Sequence, residues 1–386
     1  MLAALAAIGP FAIDTYLPAF HAIAADLHCD MLSVQQSLTA YLLPFAFMAL
    51  WHGSLSDALG RRPVILVSLA GFVLASCLCA AARHIEILWL GRALQGIFSG
   101  AGMIVGRAVG RDLFDGPAAQ RLMARVSILF GLAPAVAPIV GGWLYAALGW
   151  REVFLFLALY GVFLMVAVAY ALPETLSPTA RRPLSPHDLW SGYREVFGAR
   201  GFWRYSGALA ANFSAFFVYV LAAPMFLMQH LGVSAQGFAV MFVPTVIGMM
   251  TGSWISGRLA GRVAPAKSAA IGCVIMTIAS LANLSICIVL PPGLPWSILP
   301  LPLYTLGMGM SMPALSLLAL DMFPARRGMV SSCQSVIQSV GNALVAGVVA
   351  PFAWGSTLGL ATAQALLLAL GLGAFGLLRV RAAASQ

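Results

Sequence analysis

The chain has 386 residues, of which 61% are apolar and only 9% are charged, and its formal net charge is +9 at pH 7. Soluble globular proteins average about 25% charged residues, so this composition excludes an ordinary water-soluble domain. Uncharged apolar runs of about 20 residues, long enough to cross a bilayer as a helix, recur along the chain. The sequence lacks the alternating segments of about ten residues that are typical of membrane β-barrels. It therefore predicts an all-α membrane protein.

Twelve membrane spans are predicted from the positions of charged residues, prolines and glycines. They cover residues 2–20, 32–52, 63–82, 87–107, 124–145, 152–172, 205–228, 237–257, 268–290, 297–320, 330–352 and 358–378. The stretch 173–204 is rich in arginine and proline and separates six spans from six. We therefore expect an N-terminal six-helix bundle (1–172), a central cytoplasmic linker (173–204) and a C-terminal six-helix bundle (205–386).

The basic residues indicate the orientation. Most of the 21 Lys and Arg residues fall in the linker, the C-terminal segment and the loops on the linker's side of the membrane. This asymmetry predicts that the linker and both termini are cytoplasmic, and that the protein lies in the cytoplasmic (inner) membrane. It also accounts for the positive net charge, so no nucleic-acid partner is needed to explain that charge.

An acid and an arginine lie within predicted spans. Asp14 falls inside span 1, where a carboxyl group costs at least about 2.5–3.5 kcal/mol on insertion scales and usually faces a cavity or a partner. A carboxyl that alternates between charged and protonated forms is what proton coupling requires. Arg92, near the same depth in span 4, is its natural partner, and Gln95 shares the face of Arg92. The alternatives are a structural salt bridge between the pair and a solvated Asp14 at the outer surface.

One acid and two arginines lie in the short cytoplasmic turn GSLSDALGRRP (53–63) between spans 2 and 3. Anchoring by positive charge would need only the arginines. Asp57 can also accept hydrogen bonds from an arginine or from the first amides of a neighbouring helix. We therefore expect a conformational latch built from Gly53, Asp57, Gly60, Arg61 and Arg62. A second latch is expected in the loop before span 11, from Asp321, Arg326 and Arg327.

Four stretches together resemble the major facilitator superfamily. Residues 53–62 resemble its cytoplasmic signature loop, and DTYLP (14–18) resembles the first-span motif of drug:proton antiporters of the Bcr/CflA branch. RALQG (92–96) resembles the fourth-span motif with its intramembrane arginine. APIVGG (137–142) resembles the fifth-span antiporter motif GPxxGG, with Ala137 where glycine is usual. The resemblance covers the whole chain and implies the major facilitator fold, in which twelve transmembrane helices form two six-helix bundles.

The resemblance also implies what the motifs do. The signature loop would be a cytoplasmic gate, and span 5 would supply an antiporter's hinge and seal through Pro134, Pro138, Gly141 and Gly142. An ordinary kinked span is the alternative. Two features depart from the family pattern: Pro44 and Met48 stand in span 2 where the branch tends to have glycines, and Arg258 stands where Asp57 would align in the second half. The gate is therefore expected to be asymmetric.

Polar and aromatic residues in three spans predict a substrate cavity. Serines and amides recur every four residues along span 11, and span 7 mixes an amide with aromatic rings. Such stripes on apolar helices should face the protein interior. The expected lining is Tyr16, Asn212, Phe213, Phe216, Tyr219, Gln334, Gln338 and Asn342. Simple helix–helix packing is the alternative.

The remaining patterns narrow the function. The glycines are not followed by the Lys-Ser/Thr of a phosphate-binding loop, which excludes an ATP-driven pump. No histidine pair has the spacing of metal ligands within one helix, and no catalytic set lies inside the spans, so we expect no cofactor, no metal and no enzyme. We expect proton-coupled export (antiport) of small, mostly hydrophobic drugs by alternating access, with the substrate, protons and the bilayer as partners and no obligatory protein partner. The alternatives are a proton-coupled exporter of a natural metabolite, such as an amino acid or sugar, and a non-transporting membrane receptor or scaffold.

Overall fold

The computed structural model describes residues 1–113, 116–181, 186–260, 262–323 and 327–377. Across these residues the regular structure is helical, with no β-strand. Ten spans within them are long and apolar enough to cross a membrane, and an eleventh is added if a helix pair bent by 44° counts as one span. The protein is therefore a multi-pass, all-helical membrane protein.

The spans match the predicted ones closely. The ten are Leu2–Asp26, Met31–Leu59, Arg61–Ala80, Ile85–Gly110, Trp150–Ala171, Ala235–Leu259, Pro265–Val289, Pro300–Asp321, Met329–Ala353 and Thr357–Gly376. The bent pair is Arg200–Leu221 with Pro224–His230, where the predicted span 205–228 lies. The predicted span 124–145 lies within a further helix, whose segment Leu132–Ala147 is apolar but shorter than the other spans.

The chain forms two compact units. One comprises Met1–Ser185 with Ala235–Ala239, and the other comprises Pro186–Ser234 with Val240–Gln386. The boundary falls inside the predicted linker 173–204. The first part of the linker therefore belongs to the first unit and the second part to the second unit.

The first unit is built from packed α-helices. Its helices are α1 (Leu2–Asp14), α2 (Phe20–Asp26), α3 (Met31–Leu59), α4 (Arg61–Ala80), α5 (Ile85–Leu113), α6 (Gly116–Ala147) and α7 (Trp150–Ala171). Helix α5 packs against α3, α4 and α1, while α4 also packs against α7 and α1 against α6. Helix α5 is thus the centre of the unit.

The first predicted span is broken. Helix α1 ends at Asp14, a 3₁₀ turn covers Leu17–Ala19, and α2 begins at Phe20. Pro18 has no N–H with which to continue the α-helical hydrogen bonds to the preceding turn. The DTYLP sequence therefore ends the helix directly after its acid.

The expected loop 53–62 is mostly helical. Helix α3 continues to Leu59, and Arg61 already begins α4, so Gly60 alone joins the two helices. Its φ of 105° lies in the region that a residue with a Cβ rarely adopts. The boundary was wrong because the charged residues of this stretch lower its hydropathy without ending the helix.

The second unit contains the remaining helices. They are α8 (Pro186–Gly198), α9 (Arg200–Phe202), α10 (Ala208–Leu221), α11 (Ala239–Leu259), α12 (Pro265–Val289), α13 (Pro300–Asp321), α14 (Arg327–Leu344), α15 (Ala350–Ala353) and α16 (Thr357–Leu377). Helix α12 lies along α13, and α10 packs against α16, α14 and α13. Gly272 of α12 and Gly307 of α13 let these two helices approach closely, because a Cβ on either glycine would lie within about 2.6 Å of the other's carbonyl oxygen.

Candidate functional site

Arg92 lies at the centre of the first unit, and its side chain is the largest fully buried one among the described residues. Its guanidinium lies between the rings of Tyr16 and Tyr41, with Cζ 4.5 Å from each ring centroid. Nη1 donates to the carbonyl of Ala12 at 2.9 Å and to Oε1 of Gln95 at 2.6 Å. A desolvated cation–π contact is worth about 2 kcal/mol or more, so the two rings stabilise a charge that lies out of contact with water.

The Ala12 carbonyl is available because α1 ends two residues later. The last four carbonyls of a helix lack a helical partner, and Ala12 is one of them. From Gln95 the network continues across the unit: its Nε2 donates to Oγ of Ser76 at 2.7 Å, and Ser76 donates to the carbonyl of Phe72 at 2.7 Å. Arg92 thereby links the break in span 1 to spans 3 and 4.

The two tyrosines that flank Arg92 are themselves held by hydroxyl groups. Tyr16 Oη lies 2.9 Å from Oγ of Ser37, and Tyr41 Oη lies 2.7 Å from Oγ of Ser99. Both pairs are buried. Tyr16, expected to line a substrate cavity, is fully enclosed in this cluster.

Asp14 is the last residue of α1 and is 4% exposed. Its Oδ1 has no hydrogen-bond partner. Within the described residues, ion pairs involve other acids, so the expected pair between Asp14 and Arg92 is not formed. Nη1 of Arg92 donates instead to the carbonyl of Ala12, which the end of α1 leaves without a helical partner, and to the amide oxygen of Gln95. Two further nitrogens of Arg92, Nε and Nη2, have no hydrogen-bond partner.

One of the two glycines of span 5 contacts this site directly. Helix α6 runs through both predicted hinge prolines, Pro134 and Pro138, to Ala147. A Cβ on Gly141 would lie 1.7 Å from the carbonyl oxygen of Thr15, next to the buried acid. A Cβ on Gly142 would lie 2.2 Å from the carbonyl oxygen of Ala235 in the same unit. Both positions therefore require glycine for close backbone approach.

The predicted latch between spans 2 and 3 is centred on Arg61, which is 8% exposed. Its Nη1 donates to Asp57 and to Oγ of Ser56, the latter at 2.6 Å, and its Nε donates to Oδ2 of Asp112 at 3.1 Å. Arg62 donates from Nη2 to the carbonyl of Ala169 at 2.6 Å. The arginines therefore tie the α3–α4 junction to α5 and α7.

Three members of the latch cluster were missed in the sequence: Asp112, Glu174 and Thr175. Asp112, near the end of α5, accepts from Arg61 and from Oγ1 of Thr175, the latter at 3.0 Å. Glu174 accepts from the backbone amides of Arg61 and Arg62. The available signal was an acid within a few residues of the cytoplasmic end of each of two predicted spans. Gly53, which was also expected in the latch, is not closely packed, because a Cβ there would lie 4.0 Å from the Ile104 side chain, an ordinary van der Waals distance.

A family model described as Major Facilitator Superfamily matches residues 2–346. The chain belongs to this superfamily. The match confirms the family predicted from the four motifs, and it makes the protein a membrane transporter and not an enzyme.

Relatives and a solved structure agree with this membership. The chain is 28% identical to multidrug resistance protein D of Escherichia coli (strain K12) over 351 residues, which is 90% of this chain and 87% of that protein. It is 28% identical over 262 residues to a bicyclomycin resistance protein homolog of Haemophilus influenzae, covering 68% of this chain and 66% of that protein. A D-xylose–proton symporter has the same fold, with a TM-score of 0.76 at 15% identity over 97% of this chain and 96% of that one.

In this major facilitator chain, two expected cavity residues of span 7 are enclosed within the second unit. Asn212 is fully buried, its backbone carbonyl accepts from Tyr304 Oη at 2.9 Å, and its Oδ1 has no partner. Tyr219 Oη accepts from Nδ2 of Asn283 at 2.7 Å, and Asn283 also donates to Gln364 at 2.9 Å. These contacts are those of helix packing, the alternative considered above. Their assignment to a cavity stays a prediction.

The other expected cavity residues occupy mixed positions. Phe213 and Phe216 are partly buried against the core of the second unit. In span 11, Gln334 accepts from Ser316 at 3.1 Å and Asn342 accepts from Ser214 at 3.3 Å. Gln338, one turn after Gln334, is half-buried.

The second predicted latch is only partly described. Asp321 is the last residue of α13 and is exposed. Arg326 and the side chain of Arg327 lie outside the described residues. This latch therefore stays a prediction of the sequence.

Proposed function

We propose that this transporter exports small, mostly hydrophobic drugs across the cytoplasmic membrane in exchange for protons. Twelve spans in two six-helix bundles (1–172 and 205–386), joined by the linker 173–204, would alternate access to the two sides. The excess of basic residues on the linker's side supports cytoplasmic termini. The names of the relatives, a multidrug resistance protein and a bicyclomycin resistance homolog, support the substrate class.

Asp14 is the observation that carries the proton coupling. A buried carboxylate with no cation in contact costs several kcal/mol, whereas the protonated acid can be buried at a small cost. In the described arrangement Asp14 is therefore best accommodated with its proton. Release of the proton requires a state in which water or a cation reaches the acid.

Arg92 supplies the fixed positive charge of the same site. A guanidinium stays protonated at any physiological pH. The N–H groups on its Nε and Nη2 have no acceptor. A rearrangement of span 1 at its break would therefore let a charged Asp14 accept hydrogen bonds from them. Protonated and charged Asp14 would then favour different arrangements of span 1. A site with two arrangements that differ by one proton is what antiport requires.

The latch around Arg61 would control the cytoplasmic side. Its hydrogen bonds to Asp57 and Asp112 hold the ends of α3 and α5 together, and a conformational cycle would have to rearrange them. The role of Asp57, which is half exposed, would be to exchange partners during that cycle.

The experiment uses purified protein in liposomes that contain a pH dye. A phenicol, bicyclomycin, an amino acid and a sugar are added one at a time under an imposed pH gradient. Proton movement that depends on a drug, and that is lost in Asp14→Asn, supports the proposal. Proton movement that occurs with the amino acid or the sugar but not with the drugs supports metabolite export instead of drug export. No proton movement with any compound, in protein shown to be folded, contradicts proton coupling.

A further inference from the structure

Helix α4 begins without a capping side chain of its own. Its N-cap position is Gly60, which has no side chain to accept from the first amides of the helix. Helix N-termini usually place Ser, Thr, Asp or Asn there, because four N–H groups lack helical partners.

Glu174, from the start of the linker, provides the missing acceptor. Its Oε1 accepts from the backbone N–H of Arg61 at 3.0 Å, and its Oε2 accepts from that of Arg62 at 3.2 Å. Oε1 also accepts from the N–H of Leu176 at 3.0 Å, which fixes the linker around the carboxylate. A negative charge at a helix N-terminus is further stabilised by the helix dipole.

Gly60 is required for this contact as well as for the turn. A Cβ on Gly60 would lie 2.6 Å from Oε2 of Glu174. Any side chain there would displace the carboxylate from the amides.

The same linker segment also reaches the acid that binds Arg61. Thr175 donates from Oγ1 to Oδ2 of Asp112 at 3.0 Å, the same oxygen that accepts from Nε of Arg61 at 3.1 Å. The backbone of Arg61 is thus held by one linker residue, and the acid that binds its side chain is held by the next. The first residues of the linker, Glu174 and Thr175, and the latch form a single hydrogen-bonded cluster within the first unit.

The start of α7 offers a contrast within the same unit. Gly149 also has a positive φ, 125°, and a Cβ on it would lie 2.9 Å from Oε2 of Glu152. There the carboxylate comes from the first turn of the helix itself. At α4 it comes from a residue more than a hundred positions away, in the segment that joins the two units.

We propose that Glu174 is a positioning residue of the latch. It holds the first turn of α4 so that the Arg61 side chain bridges Asp57 and Asp112. Because Glu174 belongs to the linker, a displacement of the linker acts directly on Arg61. The latch thereby responds to the segment that connects the two halves of the transporter. This inference rests on the transport function proposed above.

The test compares Glu174→Ala and Glu174→Gln with the matched control Glu152→Gln in full-length protein. Hydrogen exchange of the peptide that contains the Arg61 and Arg62 amides is the first readout, because it does not depend on transport. Loss of a cap predicts exchange about fivefold faster in Glu174→Ala. Glu174→Gln, which keeps one carbonyl acceptor, should lie between Glu174→Ala and wild type. Glu152→Gln should leave this peptide unchanged.

Drug transport and drug binding are the second readout. Glu174→Ala should lower the turnover rate about tenfold or more while the equilibrium affinity for the drug stays within twofold. Thr175→Val should lower the turnover rate by less, again with the affinity within twofold. Unchanged exchange of the α4 amides, or an equal loss of turnover in Glu152→Gln, would overturn the inference. If wild-type protein moves no substrate while the exchange result holds, the proposed function fails and the structural role of Glu174 stands.

Discussion

The backbone carbonyl of Ala12 accepts a hydrogen bond of 2.9 Å from Nη1 of Arg92. This bond exists because α1 ends at Asp14 and leaves the carbonyls of its last turn without helical partners. The break in span 1 therefore binds the buried arginine and places the buried acid at the same point. A change in the break would alter both charged groups together.

The two rings around Arg92 lead to the first prediction. Arg92→Lys keeps the charge but loses the planar fork that stacks between Tyr16 and Tyr41 and donates to two acceptors. We expect a loss of stability of about 2 kcal/mol or more, together with loss of transport. Thermal unfolding in detergent measures the loss of stability, and transport in liposomes measures the loss of transport. Tyr41→Phe, which keeps the ring, should retain most of the stability, and equal unfolding of Arg92→Lys and wild type would contradict the account.

The close approach of span 5 to span 1 leads to the second prediction. In Gly141→Ala the new Cβ would meet the Thr15 carbonyl at 1.7 Å, so span 1 must move or the helices must separate. Forced overpacking of this kind typically costs about 1–3 kcal/mol or more. Gly106→Ala is the matched control, because its Cβ would meet only a Leu2 methyl at 3.8 Å. Thermal unfolding should separate the two variants clearly, and similar midpoints would show that the contact is not rigid.

The latch around Arg61 leads to the third prediction. Asp112→Asn removes a charged partner of Arg61 and weakens the acceptor of Thr175, and Asp57→Asn removes the other charged partner. Each should slow the transport cycle while leaving equilibrium drug binding largely unchanged, because neither residue contacts the cluster around Arg92. Turnover is measured in liposomes, and the equilibrium affinity for the drug is measured separately in detergent. A loss of affinity that matches the loss of turnover would contradict the assignment to a latch.

The start of α3 leads to a prediction on pH. Asp30 caps α3, and hydrogen bonds from the Ser33 side chain and from the Ser33 amide, the latter 2.8 Å long, hold the pKa of Asp30 below its ordinary value. The folded state therefore binds this proton more weakly than the unfolded state does. The stabilisation is present above the ordinary carboxyl range, roughly pH 4, and is lost as the pH falls through the lower pKa of the folded state.

The measurement compares wild type with Asp30→Ala. The unfolding midpoint of Asp30→Ala should be lower at pH 7, and the difference should shrink as the pH is lowered below the carboxyl range. A difference for Asp30→Ala that is independent of pH would show that the carboxylate charge is not involved.

Hydropathy predicted the helices well because nearly every span is apolar along most of its length. It failed at the α3–α4 junction, where the helix continues through charged residues to Leu59 and only Gly60 intervenes. The positions of charged residues report the cost of burial in lipid and not the continuity of backbone hydrogen bonds.

The motifs predicted which residues are special but not their partners. Arg92 was expected to pair with Asp14, yet it is bound by a backbone carbonyl, an amide and two rings. That carbonyl is free only because the helix breaks, which a pattern of side chains does not reveal. Glu174 was not predicted for a related reason: its partners are backbone amides far away in the sequence, and backbone amides leave no residue-type signal.

In the proposed mechanism, Asp14 carries the coupling between protons and substrate. The most direct test compares two transport modes of Asp14→Asn in liposomes: uphill drug movement driven by a pH gradient, and exchange of labelled for unlabelled drug with no gradient. Uphill movement should be abolished while exchange persists, because the neutral amide mimics the protonated acid and leaves the Arg92 cluster intact. Uphill transport by Asp14→Asn at the wild-type rate would contradict the account.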